Sequence, residues 1–68
     1  MIALRINGKQ VDLDGDTHLL DYLARLGVDP RSVAVEHNGD IVAREHYRDI
    51  TLRAGDVVEI VRMVGGGG

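Results

Sequence analysis

Four glycines in a row, Gly65-Gly66-Gly67-Gly68, are the feature of this sequence with the clearest chemical potential. Consecutive glycines pack no core and lose the most conformational entropy when ordered. What they offer is narrowness, because a strand without Cβ atoms passes through a channel that excludes every side chain. Extended, such a tail reaches about 13–14 Å at roughly 3.3–3.6 Å per residue. It would carry a terminal carboxylate from the domain surface into the buried site of a partner. An α-carboxyl ionises with a reference pKa of about 3.3–3.7, so it is a competent nucleophile toward an activated phosphate. The alternative is a solvated end with no role. The tail follows directly on the final strand of the pattern described below, and that context favours a working tail.

The remaining polar residues offer less. His18, His37 and His46 are the only imidazoles, and the chain has no cysteine. No pair has the helical spacing of a zinc site, so the three read as solvated surface groups and no metal site is expected. Asp12, Asp14 and Asp16 alternate like the start of a calcium loop, but position 23, where that loop needs its glutamate, is Leu. Without cysteine there is no disulfide framework, thiolate cluster or thiol nucleophile. The net charge of −3 and the scattered arginines, with no Phe or Trp, speak against nucleic-acid binding. No apolar run approaches the ~20 residues of a membrane span, and the N-terminus lacks a signal-peptide pattern. The expectation is a cytoplasmic protein without a membrane partner.

Hydrophobic alternation and turn residues mark out a framework that would hold the tail. Ile2, Leu4 and Ile6 alternate with polar or small residues, as do Val11 and Leu13. Asn7-Gly8 between them signals a two-residue hairpin turn, whose central residues need positive φ. That turn sets Ile6 opposite Lys9, Leu4 opposite Val11 and Ile2 opposite Leu13. Thr17 is placed to cap a helix on which Leu19, Leu23 and Leu26 recur. Gly27 and Pro30 end it. Val33 and Val35 begin another strand, and Asn38-Gly39 sets Val35 opposite Val42. Arg44 to Asp49, polar around Tyr47, reads as a loop or short turn. Ile50 to Leu52 reads as a brief strand, Ala54-Gly55-Asp56 as a turn, and Val57 to Val64 as the final strand.

At 68 residues the chain makes one domain. A domain of that size buries only about 60% of its unfolded surface, which leaves little room for a deep catalytic pocket. The last strand has no hairpin neighbour, so it can pair with the first in parallel, in the middle of the sheet. The expected class is α+β: a β-grasp, or ubiquitin-like, mixed sheet of four to five strands on one helix. Residues 1–64 form the domain and 65–68 a flexible tail. With Val58 and Ile60 facing the helix, Val57, Val61 and Met63 lie on the open face, a candidate docking stripe beside the tail. The alternative is that loop residues such as Tyr47 cover that stripe.

The run from Val33 to Arg44 (Val-Ala-Val-Glu-His-Asn-Gly-Asp-Ile-Val-Ala-Arg) resembles the central segment of the bacterial thiamine-biosynthesis sulfur carriers. So do Leu20 to Arg31, Ala54-Gly55-Asp56 and the terminal glycines, and the resemblance covers essentially the whole chain. It departs at Ala43, where the family often has proline, and at Tyr47, where it often has tryptophan. The resemblance implies a carrier rather than an enzyme. A partner of the ubiquitin-activating-enzyme type would use ATP and magnesium to adenylate Gly68. A persulfide sulfur donor would then convert it to a thiocarboxylate, and thiazole synthase would take the sulfur. Gly67 corresponds to the first residue of the family's glycine pair. Because the tail is longer than that pair, an earlier glycine is the alternative reactive position. Two rivals stay open. One is a carrier of the same kind serving molybdopterin, tRNA thiolation or cysteine synthesis; the other is a non-covalent β-grasp interaction module that ignores the tail.

Overall fold

The structure, a computed structural model, describes residues 1–63; Val64 and the glycines Gly65 to Gly68 lie outside the described residues. The elements run β1 (Ile2–Ile6), β2 (Lys9–Leu13), β3 (Thr17–His18), α1 (Leu19–Leu26), β4 (Val33–His37), β5 (Asp40–Val42), β6 (Thr51–Leu52) and β7 (Val57–Arg62). Short 3₁₀ turns at Pro30–Ser32 and Arg44–Asp49 complete the chain. Five strands form one mixed sheet in the order β2-β1-β7-β4-β5, and β3 and β6 pair separately. With one main helix on the sheet, this is the expected β-grasp. No helix among the described residues is long and apolar enough to cross a membrane.

Both hairpins have the register their turns dictate. Ile6 faces Lys9, Leu4 faces Val11 and Ile2 faces Leu13, while Val35 faces Val42. Asn7 and Asn38 take φ of 54° and 52°, a region that asparagine tolerates better than most residues. The last strand lies between β1, parallel, and β4, antiparallel. One face of the sheet buries Leu4, Ile6, Val33, Val35 and Val58 against Leu19 and Leu23 of the helix. Burying a side chain of this size stabilises the fold by about 1.5–3 kcal/mol.

The helix ends as expected and starts differently. Gly27 is left-handed at φ 71°, its amide donates to Ala24, and the Val28 amide donates to Leu23. That pair of bonds is a Schellman cap. At the other end Thr17 is no cap. It pairs with Leu52 in the small β3–β6 ladder, and its hydroxyl donates to the Gly15 carbonyl at 2.9 Å. His18 takes the cap position without a side-chain bond. The first helical amide, Leu19, donates instead to the Ile50 carbonyl at 3.0 Å. Leu26, expected on the buried stripe, is half exposed.

Tyr47 is buried at 3% exposure within the core cluster, and its hydroxyl donates to the Val33 carbonyl at 3.0 Å. The 3₁₀ turn that carries it packs on α1. Tyr47 therefore fills the helix side of the sheet and does not cover the open face.

Candidate functional site: the strand that launches the tail

The tail continues from β7, so the site is built from whatever holds that strand and whatever lies beside its end. Neighbouring strands hold it on both edges, and each hairpin turn adds a side chain. β1 pairs with β7 only at Arg5–Val57 and Ile6–Val58 before it turns away. Beyond that point the Asn7 carboxamide takes over. Its Oδ1 accepts the Ile60 amide at 2.7 Å, and its Nδ2 donates to the Ile60 carbonyl at 3.1 Å. On the other edge Asn38 Oδ1 accepts the Val57 amide at 2.8 Å, and the Asn38 amide donates to the Val57 carbonyl at 2.7 Å. At the exit, Met63 donates to the Ser32 carbonyl at 2.8 Å. Ser32 belongs to the turn that Asp29 caps by accepting the Arg31 amide.

Alternation along β7 puts Val57, Val61 and Met63 on the open face, 49%, 59% and 46% exposed. The structure does not gather all three. Val61 and Met63 stand at the root of the tail, whereas Val57 sits beside Arg5 at the far end. At ~3.3 Å per residue that is about 20 Å from Met63. Register adds residues that sequence reasoning missed. Ala34 lies opposite Val61, and Glu36 lies opposite both Glu59 and Ile41. Ile41 is 83% exposed, and these side chains line a shallow depression of about 310 Å³. The signal for Ile41 was available, since a strand that turns Val42 inward must turn Ile41 outward. The open face thus joins an apolar strip to two carboxylates.

On the helix side, a depression of about 370 Å³ is lined by Tyr22, Leu26, Val28 and Ile60, with Lys9 and Arg62. Its lining is apolar apart from the Asn7 amide, the phenol and the two cationic side chains.

A family model, the ThiS family, matches residues 4–67. The chain belongs to the ThiS family. The sulfur carrier protein ThiS of Bacillus subtilis is 42% identical over 65 residues, which is 94% of this chain and 98% of that one. The thiazole synthase of Paramagnetospirillum magneticum is 41% identical over 97% of this chain, which spans only 20% of that protein. Among solved structures, the thiamine biosynthesis protein (ThiS) of Geobacter metallireducens superposes with a TM-score of 0.81 at 35% identity, covering 97% of this chain and all of that one. The fold and the central segment are therefore those of the ThiS family, as the resemblance implied.

The histidines of this ThiS-family chain are not equivalent. His18 and His46 are exposed, as expected, and His46 lies 3.3 Å from Asp49. His37 corrects the surface reading. It is half-buried, and its Nε2 lies 2.9 Å from Asp56 Oδ2. Among the described residues no group of three or more His, Asp or Glu side chains is placed to hold a metal ion. The expected reactive residue Gly68 and the tail glycines Gly65, Gly66 and Gly67 lie outside the described residues.

Proposed function

We propose that this chain is a cytoplasmic sulfur carrier for thiazole formation in thiamine biosynthesis, working as a co-substrate of partner enzymes and not as a catalyst. The observation that carries this reading is the end-to-end likeness to the Bacillus subtilis sulfur carrier, which spans nearly the full length of both chains. In the proposed cycle the Gly68 carboxylate attacks the α-phosphate of ATP on a ubiquitin-activating-enzyme-like adenylyltransferase that supplies magnesium. Pyrophosphate leaves and an acyl-adenylate forms. A persulfide sulfur then attacks the acyl carbon and AMP leaves. A thiol breaks the S–S bond, becoming a disulfide, and the sulfur stays on Gly68 as a thiocarboxylate. Thiazole synthase is the acceptor. This part of the reading is supported by the thiazole synthases of Paramagnetospirillum magneticum and Magnetococcus marinus, each of which contains a region like this chain.

The anchoring of β7 suits such a cycle. Glycines Gly65, Gly66 and Gly67 would thread a partner's channel, and they need a rigid point of departure. The adenylyltransferase would grip the open face through Val57, Val61 and Met63, with Glu36 and Glu59 suiting a basic surface.

The test is the intact mass of the chain after incubation with the adenylyltransferase, ATP, magnesium and a persulfide donor. The expected result is the gain from exchanging one oxygen for sulfur, lost when Gly68 is deleted. An unchanged mass, with the partner active on another carrier, overturns the proposal. Growth of a thiamine auxotroph carrying this gene then tests the acceptor.

A further inference from the structure

We infer that Asn7 is a positioning residue that aims the tail by completing the β-ladder where β1 ends; the inference rests on the carrier reading. A strand held on one edge only is free to twist about that edge. β1 stops pairing with β7 at Ile6–Val58, two residues short of Ile60. Its next backbone link is the Asn7 amide, which donates to the Val58 carbonyl at 2.9 Å. The chain then turns away at Gly8, and Ile60 would face solvent on that edge.

A primary amide carries the same donor and acceptor as a peptide unit. The Asn7 side chain uses both on Ile60, at 2.7 and 3.1 Å, and so serves as one further rung. The other edge is closed by β4, through Val35–Ile60 and Val33–Arg62, and by the Ser32–Met63 bond. Among the described residues Asn7 is thus the last hold on the β1 edge. The same residue must also accept φ 54°, which asparagine does and longer amides do poorly. Turn geometry and ladder completion therefore make one joint demand, and asparagine meets both halves of it.

The contribution to catalysis is indirect. A tail aimed correctly samples fewer orientations before its carboxylate meets the partner's nucleotide, which lowers the ordering cost within the bound complex. Docking through the open face does not involve Asn7. Its loss should therefore appear in kcat and leave KM in place.

The variant Asn7→Gly keeps the turn, since glycine favours positive φ, and removes only the amide. Asn7→Asp keeps the acceptor for the Ile60 amide and loses the donor. We expect Ile60 amide exchange, followed by NMR, to quicken by about ten-fold in N7G through local opening of that edge. The kcat for adenylation should fall about five-fold or more at unchanged KM, with N7D intermediate in both readouts, as expected when transition-state positioning is lost but binding is not. A merely structural role predicts lower stability with unchanged kcat at temperatures where both proteins are folded, and that result overturns the inference. So does a rise in KM at constant kcat. A wild-type chain that an active adenylyltransferase never modifies overturns the carrier reading, and this inference with it.

Discussion

His37 and Asp56 close a polar bridge across the turn that precedes the last strand, with Nε2 and Oδ2 2.9 Å apart. The carboxylate can only accept, so the imidazole presents its Nε2–H. Asp56 also accepts from the Arg53 amide at 2.9 Å and from Asn38 Nδ2 at 3.2 Å. The Asn38 hairpin and the turn before β7 are thereby tied at one carboxylate.

This tie has a pH dependence of known sign. Burial opposes ionisation of Asp56, but the bonds from His37, the Arg53 amide and Asn38 outweigh it and hold the carboxyl below its ordinary value of 3.8. A group whose pKa falls on folding adds stability in full above its unfolded value and loses it as pH drops through the folded one. Asp56→Ala should cost about 1.5–3 kcal/mol at pH 7, the range for charged hydrogen bonds. The difference from wild type should shrink once the pH is below about 3.8. Urea melts of both proteins at several pH values measure it, and a pH-independent difference would contradict the assignment.

Glu36 and Glu59 face each other directly across β4 and β7, with no cation within ion-pair distance among the described residues. Like charges in register destabilise a sheet, so Glu59→Gln should stabilise the isolated chain by about 0.2–1 kcal/mol, more at low salt. Thermal melts at two ionic strengths read this. A destabilised E59Q would show that the pair is not repulsive.

Tyr47→Phe removes a buried hydroxyl and leaves the Val33 carbonyl short of a partner. The expected cost is about 1–2 kcal/mol by denaturant melt, without change in adenylation. Because Tyr47 packs away from the open face, a change in KM for the activating partner would put that face in doubt.

On the proposed docking surface, Met63→Glu places a charge in the apolar strip at the root of the tail. KM for the activating partner should rise about ten-fold, as expected for truncating one interface anchor. Val57→Glu, at the far end of the strand, should raise it less. Unchanged KM in M63E would mean that the partner grips elsewhere.

Gly67→Ala asks whether the tail passes through a channel too narrow for a methyl group. If it does, kcat/KM for adenylation should fall by about two orders of magnitude, the scale of a small misplacement near the reacting atoms. Stability should be unaltered. A G67A chain as active as wild type would remove the threading argument.

Most of the framework could be read from local residues. Asn7-Gly8 and Asn38-Gly39 dictated both hairpin registers, because a two-residue turn leaves one pairing that keeps the apolar side chains on a single face. Gly27 ended the helix for an equally local reason, its left-handed backbone. The central place of β7 followed from its lack of a hairpin neighbour. Other features had no local signature. The Leu19 amide donates to the Ile50 carbonyl, so the helix begins where a distant carbonyl allows and not at Thr17. Tyr47 looked like a loop residue in a polar stretch, yet the 3₁₀ turn swings it under the helix.

Short-range turn geometry and period-two burial made the hairpins and the faces of the strands legible in the amino acids, and the family resemblance completed the β-grasp. How the last strand is held emerges only in the folded chain. The Asn7 side chain reaches Ile60 across 53 positions, and His37 reaches Asp56 across 19. Such pairs form because the sheet order brings turns beside strands, and neither spacing nor periodicity encodes a contact between residues that meet only once the sheet is complete.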